Sequence, residues 1–139
     1  MLIGEYGCSI DTKGRLNFPA KLREDMGVRL VLSKGLGDEY LCAYSMEEWK
    51  LKQEKLKQLP ANKVRELQRF LFSSAAVAEP DSQGRIVIAQ NLRDYAGLSK
   101  EIVVVGADDR CEIWDKLRWE ELSSKMSANV NAIIDELDW

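Results

Sequence analysis

Asp11-Thr12-Lys13-Gly14-Arg15 recurs as Asp81-Ser82-Gln83-Gly84-Arg85, 70 positions further along the chain. The likeness extends outward from both copies. Each is followed by a short apolar run (Leu16 and Phe18; Ile86, Val87 and Ile88), then by Leu22-Arg23 or Leu92-Arg93, then by Gly27 or Gly97. Trp49 and Trp119 keep the same offset. Agreement over so many positions marks an internal repeat, and a repeat decides the architecture before any single element is read. Two copies of one small unit imply a pseudo-symmetric protein carrying two similar arginine-tipped turns.

Asp at the first position and Gly at the fourth suit a type I turn closed by a glycine bulge. The Asp side chain hydrogen-bonds the turn backbone, and Gly accepts positive φ without a Cβ clash. Asp11–Arg15 and Asp81–Arg85 therefore read as hairpin tips, flanked by strands at 4–10 and 15–18 and at 75–79 and 85–88. Pro19 opens a short helix over 20–26 that Gly27 closes. Its counterpart spans 90–96 and ends at Gly97, with Ala89 where the first copy has Pro19. Alanine is a good helix former, so the second helix is expected to survive that change.

Further strands are expected at 29–33, 40–44, 102–105 and 111–114. Ser45 followed by Glu48 is a capping-box pattern, opening a helix that runs to about Gln58 with Met46, Trp49, Leu56 and Leu59 near one face. Pro60 marks the join. A helix over 61–73 then carries Val64, Leu67 and Leu71 on a stripe. A final helix from about Asp115 carries Trp119, Leu122, Met126, Ile133 and Leu137, a stripe more typical of a core or subunit interface than of a ligand site. The expected organisation is a first repeat over 1–60, a connecting helix over 61–74, and a second repeat over 75–139 that includes the C-terminal helix. A unit of this size buries little surface alone, so the halves should share one core. Intertwining them would also hide strand edges that invite aggregation. The fold class is α+β.

Composition narrows the function. The chain is 45% apolar and 31% charged, a soluble globular balance. No apolar run approaches the ~20 residues of a membrane-spanning helix. Met1-Leu-Ile-Gly-Glu-Tyr6 lacks the basic and apolar regions of a signal peptide, so a cytoplasmic protein is expected. Cys8, Cys42 and Cys111 show no C-x-x-C spacing and read as small apolar fillers on strands. Histidine is absent. That removes Ser-His-Asp and Cys-His catalysis and most zinc or iron sites. No enzyme activity, cofactor, metal or small-molecule substrate is expected.

The net charge is −3, so the whole molecule exerts no overall pull on a polyanion. The distribution is less even. Residues 11–23 hold Lys13, Arg15, Lys21 and Arg23 against Asp11 alone, whereas residues 107–139 hold nine acidic residues against four basic ones. Local sign decides where a polyanion would sit. An arginine beside a turn often just pairs with a neighbouring carboxylate, here Asp11 or Asp81. Its occurrence twice, at one place in one turn, favours function, because turn chemistry needs Asp and Gly but not Arg. Arginine offers a planar, permanently charged fork suited to phosphate oxygens and to guanine O6 and N7. Lys13 reinforces the first tip, while its counterpart Gln83 is neutral. The first tip is therefore expected to matter more. Lys21 and Arg23 either add phosphate contacts or are ordinary solvated helix charges.

These residues resemble the MraZ family of bacterial transcriptional regulators. The resemblance is carried by Met1-Leu-Ile-Gly-Glu-Tyr6, by Asp11-Thr-Lys-Gly-Arg-Leu16 with Pro19-Ala-Lys-Leu-Arg23, and by Asp81-Ser-Gln-Gly-Arg-Ile86 with Leu92-Arg-Asp-Tyr-Ala-Gly97. Cys111-Glu-Ile-Trp114 extends it nearly to the end of the chain. It implies two tandem swapped-hairpin, AbrB/MazE-like β-barrel halves with flanking helices, and chains assembled into a ring-shaped homo-oligomer. It also implies binding to double-stranded DNA at direct repeats upstream of the operon for cell division and cell-wall synthesis, hence a nucleoid-associated protein. By position, the family motif falls on Asp11 with Arg15 and on Asp81 with Arg85, with Gly14 and Gly84 shaping the turns and Lys13 beside the first. The same fold also serves antitoxins, so a protein-interaction module is the alternative, favoured by the acidic last third. A carboxylate hydrolase built on Asp11 and Asp81 carries little weight, since turn geometry already explains both residues.

Overall fold

In the computed structural model, which describes residues 1–139, the first repeat supplies β1 (Glu5–Ser9), β2 (Arg15–Asn17), α1 (Ala20–Met26), β3 (Leu30–Lys34), β4 (Leu41–Ser45) and α2 (Met46–Lys57). Helix α3 (Ala61–Phe72) connects the halves. The second repeat supplies β5 (Ala76–Ala78), β6 (Arg85–Val87), α4 (Gln90–Ala96), β7 (Glu101–Gly106), β8 (Cys111–Asp115) and α5 (Lys116–Leu137). Helices α1 and α4 begin at matching positions, after Pro19 and after Ala89, so the missing proline does not move the helix start. Only the forward half of the expected capping box forms: the Glu48 N–H donates to Ser45 Oγ at 3.1 Å.

The strands pair across the halves. A six-stranded antiparallel sheet runs β1-β7-β8-β4-β3-β5, and β2 pairs with β6 in a separate two-stranded ribbon. Exchanging every strand for its repeat counterpart reverses the sheet order and leaves it unchanged. At the centre of the sheet Cys42 faces Glu112, and at the centre of the ribbon Leu16 faces Ile86. Both pairs join residues 70 apart. One local pseudo-twofold axis thus passes through sheet and ribbon.

The closed barrel implied by the resemblance is not formed. The sheet is open, with β1 and β5 at its edges. Sheet and ribbon are joined through a single bridge, Ile10–Leu16. The matching position of the second repeat is Pro80, which cannot donate to a ladder.

Alternation along the central strands buries both faces of the sheet. Leu30, Leu32, Leu41, Ala43, Ile102, Val104, Cys111 and Ile113 face the ribbon and short helices, and meet Leu16, Phe18, Ile86, Ile88, Leu22 and Leu92. Val31, Cys42, Tyr44, Val103 and Trp114 face the long helices, and meet Trp49, Leu56, Leu71 and Trp119. On that side Tyr40 stacks on Trp114 at 4.6 Å, and Phe72 of α3 meets Trp49 edge-on at 5.0 Å. Cys8, Cys42 and Cys111 are free thiols on strands, and burial raises the pKa of each. No helix is long and apolar enough to cross a membrane.

Leu16 and Ile86 are almost wholly buried where the two repeats meet. Leu16→Ala or Ile86→Ala should each lower the unfolding free energy by about 2–5 kcal/mol. The loss is read as a lower urea midpoint at unchanged slope. Val87→Ala, on the outer face of the same ribbon, should stay within about 0.5 kcal/mol.

Candidate nucleic-acid interface

Each turn is wired by its own aspartate. Asp11 Oδ1 accepts the N–H groups of Lys13 and Arg15, both at 2.9 Å, and Oδ2 accepts Arg15 Nε at 2.7 Å. Asp81 repeats the pattern with the N–H groups of Gln83 and Arg85 and with Arg85 Nε, all at 2.9 Å. The backbone closes both loops: Gly14 N–H donates to Asp11 C=O and Gly84 N–H to Asp81 C=O. The Arg15 N–H and then the Arg15 guanidinium hold the Asp11 carboxyl below the usual carboxylate range. Asp81 is lowered likewise, first by the Arg85 N–H.

The ion pairs anticipated from the sequence therefore form, but exposed pairs of this kind contribute little to stability. Their effect is orientation. Only Nε of each arginine is engaged, which leaves the end-on fork of two terminal nitrogens for a ligand. In the ribbon, Arg15 lies opposite Val87 and Arg85 opposite Asn17. Leu16 and Ile86 point inward, so these four residues form the outer face. The two arginines are diagonal neighbours across the strands, roughly 7–8 Å apart. A two-stranded ribbon of this kind fits the ~12 Å major groove of B-DNA, where arginine forks meet guanine edges.

Each half fastens the turn of the other. Ile88 N–H donates to Gly14 C=O at 2.8 Å, and Phe18 N–H donates to Gly84 C=O at 3.1 Å. Arg93 Nε donates to Ile88 C=O at 3.0 Å and lays its guanidinium against Gly14. Arg23 Nε donates to Phe18 C=O at 3.0 Å and lies against Gly84 in the same way. A Cβ at Gly14 would come within 2.6 Å of the Ile88 carbonyl oxygen, and φ there is +80°.

Asp11, Gly14, Arg15, Asp81, Gly84 and Arg85 thus converge on one structure. Lys13 projects exposed from the first turn. Lys21 stands exposed on α1 and makes no hydrogen bond or ion pair. Arg23 is half-buried beneath the opposite turn rather than freely solvated.

A family model described as "MraZ protein, putative antitoxin-like" matches residues 1–70 and again residues 71–137. Proteins named Transcriptional regulator MraZ are similar over essentially the whole length. The one from Acetivibrio thermocellus is 45% identical over 139 residues, covering 99% of this chain and 96% of that protein. The one from Alkaliphilus oremlandii is 46% identical over 139 residues, at 99% and 96%. The one from Caldicellulosiruptor bescii is 43% identical over 140 residues, at 99% and 97%. The chain belongs to the MraZ family.

Membership does not by itself reveal how this MraZ-family chain assembles its outer face. Asn17 and Val87 were not singled out from the sequence, although period-two alternation from Arg15 and Arg85 places them beside the arginines. Arg93 was visible in the repeat as the partner of Arg23, but its packing on Gly14 depends on cross-half geometry.

Gly14→Ala should cost about 1–3 kcal/mol from its left-handed backbone, with the added clash against Ile88. Gly7→Ala has open space at Cβ and should be nearly neutral. Paired thermal melts separate the two.

Proposed function

We propose that this chain is a transcriptional regulator that binds double-stranded DNA through the outer face of the β2–β6 ribbon, without catalysis. The supporting observation is the presentation of Arg15 and Arg85 on one exposed ribbon face, each with Nε tied to an aspartate and its terminal nitrogens free. The relatives' printed name, Transcriptional regulator MraZ, supports the same reading. The two halves, 1–60 and 75–139, act as swapped-hairpin repeats joined by the 61–74 segment. The target is direct repeats upstream of the chain's own operon, which places the protein in the cytoplasm at the nucleoid. Lys13 and Lys21 supply phosphate contacts, and Arg23 contributes through the turn it supports.

The protein acts as a homo-oligomeric ring. Helix α2 is covered by α3, but its repeat counterpart α5 has no such cover. Beyond Leu122, α5 carries Met126, Val130, Ile133, Ile134 and Leu137 exposed. A second copy covering this face would give the assembly several ribbons. Linked ribbons on repeated boxes raise avidity by ~10²–10⁴ without any new contact. The antitoxin-like alternative would place a different protein on the same helix.

In a gel shift on the upstream duplex, Arg15→Ala should weaken binding roughly 10- to 100-fold. Arg85→Ala should weaken it less, since Lys13 flanks only the first tip, and neither should shift the melting temperature appreciably. Unchanged binding by Arg15→Ala would overturn the ribbon reading.

Light scattering should give a mass several times that of the 15.8 kDa chain, and Ile133→Glu should lower it. A monomeric wild type would refute the ring.

A further inference from the structure

The repeat is broken beside the first turn, and the break is basic. Gly27 stands three residues before Leu30, which pairs with Ser45, whereas Gly97 stands five residues before Ile102, which pairs with Asp115 at the matching place in the second half. Two extra residues therefore stand in the second half, within Leu98-Ser99-Lys100. They are anchored on both sides. The Ser99 N–H and Oγ donate to Asp115 Oδ1 at 3.0 and 2.6 Å, and the Ile10 N–H donates to Lys100 C=O at 2.9 Å. No equivalent of the last bond exists in the other half, where Pro80 stands in place of Ile10 and has no N–H.

The segment forms one wall of an open notch lined by Ile10, Asp11, Thr12, Arg93, Ser99 and Lys100, together with Leu98. Lys100 is exposed and takes part in no ion pair. Of the nearby carboxylates, Asp11 is paired with Arg15 and Glu101 with Lys116, while Asp115 accepts from Ser99 and Asp94, which does not line the notch, accepts from Gln90. Arg93 uses only Nε, toward Ile88, so its terminal nitrogens are unbonded. The notch on the opposite side of the ribbon differs in sign. It is lined by Arg23, Glu24 and Asp81, and nearby Arg29 is neutralised by Glu79 at 2.9 Å. The lining of the first notch thus carries two cations outside any ion pair and that of the second carries one, with Glu24 beside it.

We propose that Lys100 and the terminal nitrogens of Arg93 form a binding site for a phosphate group of the DNA backbone beside the first turn, and that the second turn has no such site. The inference rests on the DNA-binding reading above and deepens it. Arg15 reads base edges, while the notch grips the adjacent strand without regard to sequence. It also makes binding polar: the basic flank orients the first tip and leaves the second more loosely held.

The test is a salt titration of affinity, by fluorescence anisotropy, on two labelled duplexes: the upstream region of the chain's own operon and a scrambled sequence of equal length. Lys100→Gln keeps the backbone bond to Ile10 and should fold normally. It should weaken both duplexes equally, by about fivefold per engaged protomer at 0.15 M salt, and flatten the log–log salt slope by about 0.9 per engaged protomer. Lys100→Arg should restore affinity and slope. Arg15→Ala should instead act mainly on the upstream duplex. If Lys100→Gln leaves the slope unchanged while Arg15→Ala loses specific binding, the phosphate site is wrong and the ribbon reading stands. If Arg15→Ala also binds as well as wild type, the DNA reading itself has failed.

Discussion

The structure depends on a pairing that neither repeat can satisfy internally. Strands β2 and β6 have their ladder only with each other, and the axial contact Leu16–Ile86 is nearly devoid of solvent. Separating the halves would expose Leu16, Phe18, Ile86 and Ile88 together and leave the carbonyls of Gly14 and Gly84 without their partners from the other half. The edge strands obey the same rule, with β1 pairing to β7 and β5 to β3. The arginine-bearing turns are therefore not flexible tips on independent hairpins. Each is fixed by its own aspartate from within and by the other repeat from beneath, so the two outward forks stand in a set relation. A pedestal of that kind keeps a charged side chain from losing orientation when it meets a ligand.

The departures from symmetry lie away from the axis. On it, Leu16 faces Ile86 and Cys42 faces Glu112, and any change of length there would shift the register of strands from both halves. Between Gly97 and Ile102 the chain has two residues more than between Gly27 and Leu30, and the loop between β7 and β8 has two fewer than its counterpart, so the β4–β8 register is recovered. Helix α3 follows only the first repeat, and α5 is 22 residues against 12 for α2. The central pairing sets the architecture, while the periphery differentiates the two sides.

What the sequence made legible was local. Asp-x-x-Gly specifies the turn through bonds spanning four residues, and Pro19, Gly27 and Gly97 mark ends that the structure places within a residue. Partner choice was not legible, because a three-residue strand such as Arg15-Leu-Asn17 does not encode whether its ladder lies in its own half or the other. The clamping of the turns by Arg23 and Arg93 was not legible for a related reason: on a short helix an arginine reads as a phosphate contact or a solvated charge, and only the approach of a glycine from the other repeat makes it a clamp. Leu59, expected near the same face as Trp49 and Leu56, lies beyond the end of α2 at Lys57 and stands exposed. Of the apolar stripe on α5, only Trp119 and Leu122 are covered within the chain.

Layer order reconciles an acidic chain with a basic surface. The ribbon lies on one face of the sheet, together with Leu16, Ile86 and the short helices. Helix α5 begins on the other face, where Trp119 packs with Trp114 and Val103, and Glu112, opposite Cys42, shares that side. Glu120 and Glu121 in the early turns of α5 are thus separated from Arg15 and Arg85 by two packing layers of roughly 10 Å each. At physiological ionic strength the Debye length is ~8 Å, so their repulsion of a polyanion at the ribbon is largely screened. The carboxylates of the two turns, Asp11 and Asp81, are held by the arginines themselves. The net charge of −3 is thus a sum over two faces that a bound phosphate would not sense equally.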